Sequence, residues 1–188
     1  MRPKKHYGQH FLHERGIVER IVAALAPRPG ERIVEIGPGE GALTLPLLDA
    51  AHALTAIELD AELIAPLRAA AQAHGELTIV HADVLDVDLT ALAAGGRLRL
   101  VGNLPYYVSS PILFHCLRHA HTIADMLFML QKEVVERMAA APGGKVYGRW
   151  PGLSNACPAP TALPASPVWR LMVKERWGAS CCTAFAWL

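Results

Sequence analysis

Ile33-Val34-Glu35-Ile36-Gly37-Pro38-Gly39-Glu40-Gly41-Ala42-Leu43-Thr44 reads as an apolar strand that runs into a glycine-rich turn and then into a helix, and this stretch decides the fold. Glycine at such a turn lets the main chain approach a ligand closely. Glu58 ends the next apolar run, Ala53 to Ile57, at roughly the 20-residue offset of a ribose-binding carboxylate. The pattern departs from a dinucleotide fingerprint, because Gly41 follows too soon after Gly39 and Pro38 fills the first gap. No pyrophosphate needs to be cradled. A nucleoside cofactor with a ribose, an adenine and a sulfonium cation fits better, since acidic surroundings such as Glu35 favour the cation. S-adenosylmethionine is therefore expected rather than NAD.

Asp83 follows a third apolar run, Thr78 to Val80, so Glu35, Glu58 and Asp83 all lie just past or at strand ends. In an open parallel sheet the carboxyl ends of the strands line one crevice, which brings distant residues together. Glu58 is then the expected ribose ligand and Asp83 the acceptor for an adenine amine. Strand-end carboxylates that merely cap helices are the alternative for any one of them. Val101-Gly102-Asn103-Leu104-Pro105-Tyr106-Tyr107 adds the second half of the reading. An exocyclic adenine nitrogen is a poor nucleophile while its lone pair is delocalised, so a site that methylates it must accept hydrogen bonds from its N–H groups. The Asn103 side-chain oxygen and the Leu104 carbonyl are the candidate acceptors. Pro105, with no N–H and a fixed φ, holds that carbonyl, and Tyr106 offers a stacking face. An ordinary strand-to-helix turn uses Asn and Pro in the same way.

With these segments the chain resembles the bacterial small-subunit ribosomal RNA adenine-N6,N6-dimethyltransferases over residues 5–149. The resemblance rests on Gly8-Gln9-His10-Phe11-Leu12, Glu35-Ile36-Gly37-Pro38-Gly39, Ile57-Glu58-Leu59-Asp60, Gly102-Asn103-Leu104-Pro105-Tyr106, and Met129 to Arg137 continuing to Lys145-Val146-Tyr147-Gly148-Arg149. It implies a Rossmann-like α/β methyltransferase fold and contacts to S-adenosylmethionine from His10, Leu12, Gly37, Glu58, Asp83 and Asn103. Many relatives carry Asn where this chain has His10, which points to a backbone contact there. Asn103, Leu104, Pro105 and Tyr106 would frame the target base. The implied substrate is a pair of adjacent adenosines in a hairpin loop near the 3′ end of small-subunit rRNA, methylated twice each, with a role in small-subunit biogenesis. The implied partner is the assembling 30S subunit, met by a cytoplasmic monomer.

Composition neither contradicts nor announces this. The 188 residues are 52% hydrophobic and 19% charged, enough for one substantial core, and the net charge of +1 leaves any RNA-binding surface to be local. Residues 1–16 are locally basic, with Arg2, Lys4, Lys5 and Arg15 against Glu14, and a reach toward RNA phosphates or a solvated terminus are both open. No apolar segment follows this basic start, so no secretory signal is expected. The uncharged stretch Leu100 to Leu117 is broken by Asn103, Pro105, Ser109, Ser110, Pro111 and His115, which argues against a membrane span. Cys116, Cys157, Cys181 and Cys182 lack zinc-ligand spacing, and no metal is expected.

The element pattern is a lead-in helix over 13–26, strands near 32–36, 53–57, 77–81, 98–102 and 124–130, and helices near 41–49, 61–73, 109–119 and 132–141, hence a doubly wound parallel sheet. Ser110 is the expected cap of the fourth helix, with Pro111 in its first turn. Two domains of unlike character are expected: the methyltransferase unit 1–149 and a tail 150–188. The tail is rich in Pro, Ala and Trp, suggests a shifted reading frame, and leaves the fold incomplete on its C-terminal side. Val168 to Val173 is strand-like by propensity but reads as a chance run. The strand near 124–130 is then expected to be an open apolar edge prone to aggregation. A defective fragment or a non-catalytic RNA-binding factor that keeps the cofactor crevice is the alternative function.

Overall fold

Arg32–Ile36 forms β1, and three of its five residues are β-branched or Leu-like apolar groups buried against helices on both sides. The computed structural model describes residues 15–105, 107–131, 168–175 and 178–180, the last two stretches and Gln131 as backbone. The chain runs α1 (Arg15–Leu25), β1, α2 (Thr44–Ala51), β2 (Ala53–Glu58), α3 (Ala61–Ala71), β3 (Glu76–His81), a 3₁₀ turn (Val84–Asp86), α4 (Leu89–Ala93), β4 (Leu98–Asn103), α5 (Ser109–Arg118), a second 3₁₀ turn (Ala120–Thr122), β5 (Ile123–Gln131), β6 (Val168–Glu175) and β7 (Gly178–Ser180).

Among the described residues these strands form one sheet in the order β3-β2-β1-β4-β5-β6-β7, parallel from β3 to β6 and antiparallel at β7. Side chains alternate across it with the two-residue period of a strand. Val34, Ile36, Leu98, Leu100, Met126, Phe128 and Leu130 point to the face covered by α4 and α5, with Leu89, Ile112, Leu113 and Cys116 opposite. Ile33, Val101, Leu127 and Met129 point to the other face, where Val18, Ile21 and Leu25 of α1 and Leu47 and Leu48 of α2 meet them. That layering is the doubly wound arrangement expected. Fully buried side chains such as Leu47, Leu100 and Phe128 each contribute on the order of 1.5–3 kcal/mol by leaving water.

At the amino end of the strands, Arg99 fastens the sheet to α1. Its guanidinium takes both oxygens of Asp125 at 2.9 and 2.7 Å, and it also donates to Glu31 Oε2 and to the Leu25 carbonyl, each at 2.6 Å. The hydrogen bonds that Arg99 donates to Asp125 hold the Arg99 pKa above its ordinary value. Burial pushes the Glu31 carboxyl up, but the hydrogen bonds from Arg99 and from the Arg28 N–H outweigh it and leave Glu31 below its ordinary value.

Four expectations are corrected. β5 is not an open edge: β6 pairs with it in parallel register from Asp125 opposite Val168 to Gln131 opposite Lys174. Val168 to Val173 is accordingly no chance run, because a strand with both faces buried offers its neighbour a full ladder of backbone partners. α5 begins at Ser109, not after a Ser110 cap. Val108 occupies the cap position without a side-chain bond, and the Pro105 carbonyl accepts from the N–H groups of Val108 at 3.3 Å and Ser109 at 3.1 Å. α2 begins only at Thr44, since the left-handed Gly41 still belongs to the turn. The helix expected over 132–141 lies outside the described residues.

Candidate active site

Strand order reverses beside β1, which has β2 on one flank and β4 on the other, so the crevice of this sheet opens where the carboxyl ends of β1 and β4 part. Main chain sets its base. A Cβ on Gly102 would stand 2.6 Å from the Ile36 carbonyl oxygen, so only glycine allows β4 to end this close to β1.

The turn after β1 is built from left-handed glycines, with φ of 69° at Gly37, 58° at Gly39 and 89° at Gly41. Gly37 N–H donates to the Ile57 carbonyl at 3.0 Å, and Gly41 N–H to the Pro38 carbonyl at 3.0 Å. A Cβ on Gly41 would strike Leu67 of α3 at 2.7 Å, whereas among the described residues nothing lies within 4 Å of the same point on Gly37. The turn is thus packed against α3 at Gly41. Glu58, 5% exposed at the end of β2, locks it: Oε2 accepts from Gly39 N–H at 3.2 Å and Oε1 from Asp60 N–H at 2.7 Å. Each carboxylate oxygen keeps a second lone pair. Asp60 in turn caps α3 by accepting from Glu62 N–H at 3.1 Å, a bond worth about 1 kcal/mol.

Glu35, 2% exposed, accepts a 2.7 Å hydrogen bond from the Thr44 hydroxyl at the head of α2. Burial pushes its carboxyl up to about 7. The Thr44 bond opposes the rise and the neighbouring Glu58 charge adds to it. Two carboxylates therefore flank the glycine turn, one held by main-chain donors and one poised near neutrality. Asp83, half-buried two residues past β3, accepts from Leu85 N–H at 2.9 Å through Oδ1, so it caps the 3₁₀ turn as the plainer alternative had it. Leu59, just after Glu58, is 47% exposed beside them.

Across the crevice, Asn103 closes β4 opposite Met129. Leu104 N–H donates to the Met129 carbonyl at 3.2 Å, and with the Pro105 carbonyl taken by α5 the Leu104-Pro105 peptide is pinned from both sides. Tyr107, 47% exposed, stands at the rim. The fold thus brings Glu35, Gly37, Glu58, Asp83, Asn103, Leu104 and Pro105 to one edge of the sheet. His10, Leu12 and Tyr106 lie outside the described residues. Sequence reasoning missed Thr44 and Asp60. Their signal was available, since Thr44 heads the helix after the glycines and Asp60 precedes a helical run with Glu at its second position.

Residues 1–156 match the sequence model described as ribosomal RNA adenine dimethylase. The chain belongs to that family. One relative, the ribosomal RNA small subunit methyltransferase A of Xanthomonas campestris pv. campestris (strain B100), is 61% identical over 160 residues, which are 85% of this chain and 61% of that protein. The chain therefore spans about three fifths of the length of that relative. Among solved structures, a dimethyladenosine transferase from Plasmodium falciparum superposes with a TM-score of 0.62 at 28% identity, over 73% of this chain and 49% of that one. The 23S rRNA methyltransferase ErmE superposes with a TM-score of 0.61 at 33% identity, over 68% of this chain and 50% of that one. The dimethylase match takes in His10, Leu12 and Tyr106. Among the described residues no helix is long and apolar enough to cross a membrane.

Proposed function

We propose that this chain binds S-adenosylmethionine over the Gly37–Gly41 turn and dimethylates the N6 amines of two adjacent adenosines in a hairpin loop near the 3′ end of small-subunit rRNA. It would act as a cytoplasmic monomer on the assembling 30S subunit. The observation that carries the reading is Glu58, a buried carboxylate fastened to the glycine turn with lone pairs still to offer, which suits a pair of ribose hydroxyls. Among the described residues nothing crowds Gly37, which suits a nucleoside lying against backbone. The residues present fit the cofactor.

When bound, the cofactor supplies a methyl group activated by a positively charged sulfur leaving group. The protein's part is placement and charge. Glu58 accepts from the ribose, Asp83 from the adenine amine, and Glu35 lends negative charge toward the sulfonium. His10 and Leu12 complete the cofactor contacts. Asn103 and the Leu104 carbonyl accept the two N–H bonds of the target amine and turn its lone pair toward the methyl. Pinning of the Leu104-Pro105 peptide holds that acceptor still, and Tyr106 stacks on the everted base. The proton released from the product amine passes to water, so no general base is assigned.

Transfer of labelled methyl from S-adenosylmethionine to immature small subunits, run beside cofactor calorimetry, tests the reading. Binding with transfer supports it. Binding without transfer favours the second reading, a cofactor-binding RNA or assembly factor without turnover. Absence of cofactor binding refutes both.

A further inference from the structure

His115, in α5, is 4% exposed and takes no part in the chemistry above, yet both of its ring nitrogens are engaged. Nε2 donates to the Val87 carbonyl at 2.9 Å, and Nδ1 accepts from the Arg118 guanidinium at 3.2 Å. Because an arginine only donates, that contact selects the neutral tautomer with its proton on Nε2, the nitrogen that faces Val87. Burial, with the Arg118 and His119 charges and against the Val87 bond and the Asp83 charge, keeps the imidazole below its ordinary pKa and hence neutral. His119 adds a second tie. Its Nδ1 donates to the His115 carbonyl at 3.1 Å, its ring stands 4.7 Å from that of His115, and its Nε2 lies 3.5 Å from Asp88 Oδ1. Val87 and Asp88 directly follow the 3₁₀ turn that Asp83 caps. α5, rooted in the Pro105 carbonyl, therefore grips from behind the loop that begins with Asp83.

We propose that His115 is a positioning residue for adenine recognition: by pinning Val87 it fixes where Asp83 presents its carboxylate, and so joins the cofactor loop to the helix that carries the target-base turn. The proposal rests on the assignment of Asp83 made above. A residue that only stabilised the fold would weaken every ligand alike; a residue that aims Asp83 changes the preference between two nucleosides.

Calorimetry on the full chain with S-adenosylhomocysteine and with S-inosylhomocysteine, in which a carbonyl oxygen replaces the adenine amine, reads that preference. The unaltered chain is expected to favour the adenosyl compound by at least about tenfold, the worth of one hydrogen bond to a charged acceptor. His115→Phe, which keeps a ring and loses the donor, is expected to bring the ratio to within about twofold, and His115→Gln, whose amide can donate to Val87, to restore most of it. An undiminished ratio in His115→Phe, even with both affinities lowered together, overturns the role of His115 alone. No preference in the unaltered chain overturns the Asp83 assignment and this proposal with it. Should His115→Phe not fold, His115→Met, which also lacks a donor to the Val87 carbonyl, must lower the ratio in its place. An unchanged ratio there overturns the proposal.

Discussion

Replacing Glu35 by glutamine removes a carboxyl whose folded and unfolded states disagree strongly about a proton. In the folded chain burial raises it from 4.5 to about 7. Unfolded, it ionises near its ordinary value. The rise of about 2.5 units converts at about 1.4 kcal/mol per unit to about 3 kcal/mol. The sign follows from which state holds the proton. Between pH 4.5 and about 7 the native state keeps it while the unfolded state releases it, so stability falls as pH rises and levels off above about 7. Glutamine accepts the Thr44 hydroxyl bond as the acid does but never ionises. Urea unfolding of both proteins at half-unit steps from pH 4.5 to 8 is expected to show near-equal stabilities at the acid end. By pH 8 the variant should lead by about 3 kcal/mol. Parallel curves across that range would show that Glu35 is ionised in both states, and the account of a carboxyl held neutral by burial would fail. A sulfonium nearby favours the carboxylate, so S-adenosylmethionine binding at pH 7 should release protons in the unaltered chain, measurable as a buffer-dependent heat, and release fewer in the variant.

Gly102→Ala forces a methyl into the Ile36 carbonyl, and a loss of about 3 kcal/mol is expected from chemical denaturation; a loss under 1 kcal/mol would mean that the two strand ends part easily. Arg99→Met strands Asp125 and Glu31. With side chains 16% and 30% exposed, the loss should be about 2 kcal/mol, below the ~3–5 of a fully buried pair. Glu31's share of that loss should be present above about pH 4.5 and fade as pH falls through its lowered folded value. Asn103→Ala should cut methyl transfer by about 10- to 100-fold while RNA affinity moves little, and equal losses in both would count against its place as an amine acceptor.

The glycine turn and the five strands to β5 were legible because each carries a local mark: left-handed positions filled by Gly37, Gly39 and Gly41, and apolar runs long enough for strands buried on both faces. α4 left no such mark, since Leu89–Ala93 is too short to display a helical period, and only Asp88 as its cap betrays it. The start of α5 depends on a carbonyl four residues upstream, which no side chain announces. β6 was misread because its strand character depends on a partner, β5, that lies far away in sequence. Of the candidate site, Glu35, Glu58 and Asp83 were legible as carboxylates at strand ends, and Asn103 from the Asn-Leu-Pro-Tyr segment. His115 acts through a neighbour, Val87, that only the tertiary fold supplies.

The contact between Gly102 and the Ile36 carbonyl means that the floor of the crevice has no adjustable dimension. Its width is fixed by two backbones in van der Waals touch, so substitutions that retune selectivity must act on the walls and loops above it. Drift in what this scaffold accepts is therefore confined to depth and lining, while the gauge between its two halves stays constant.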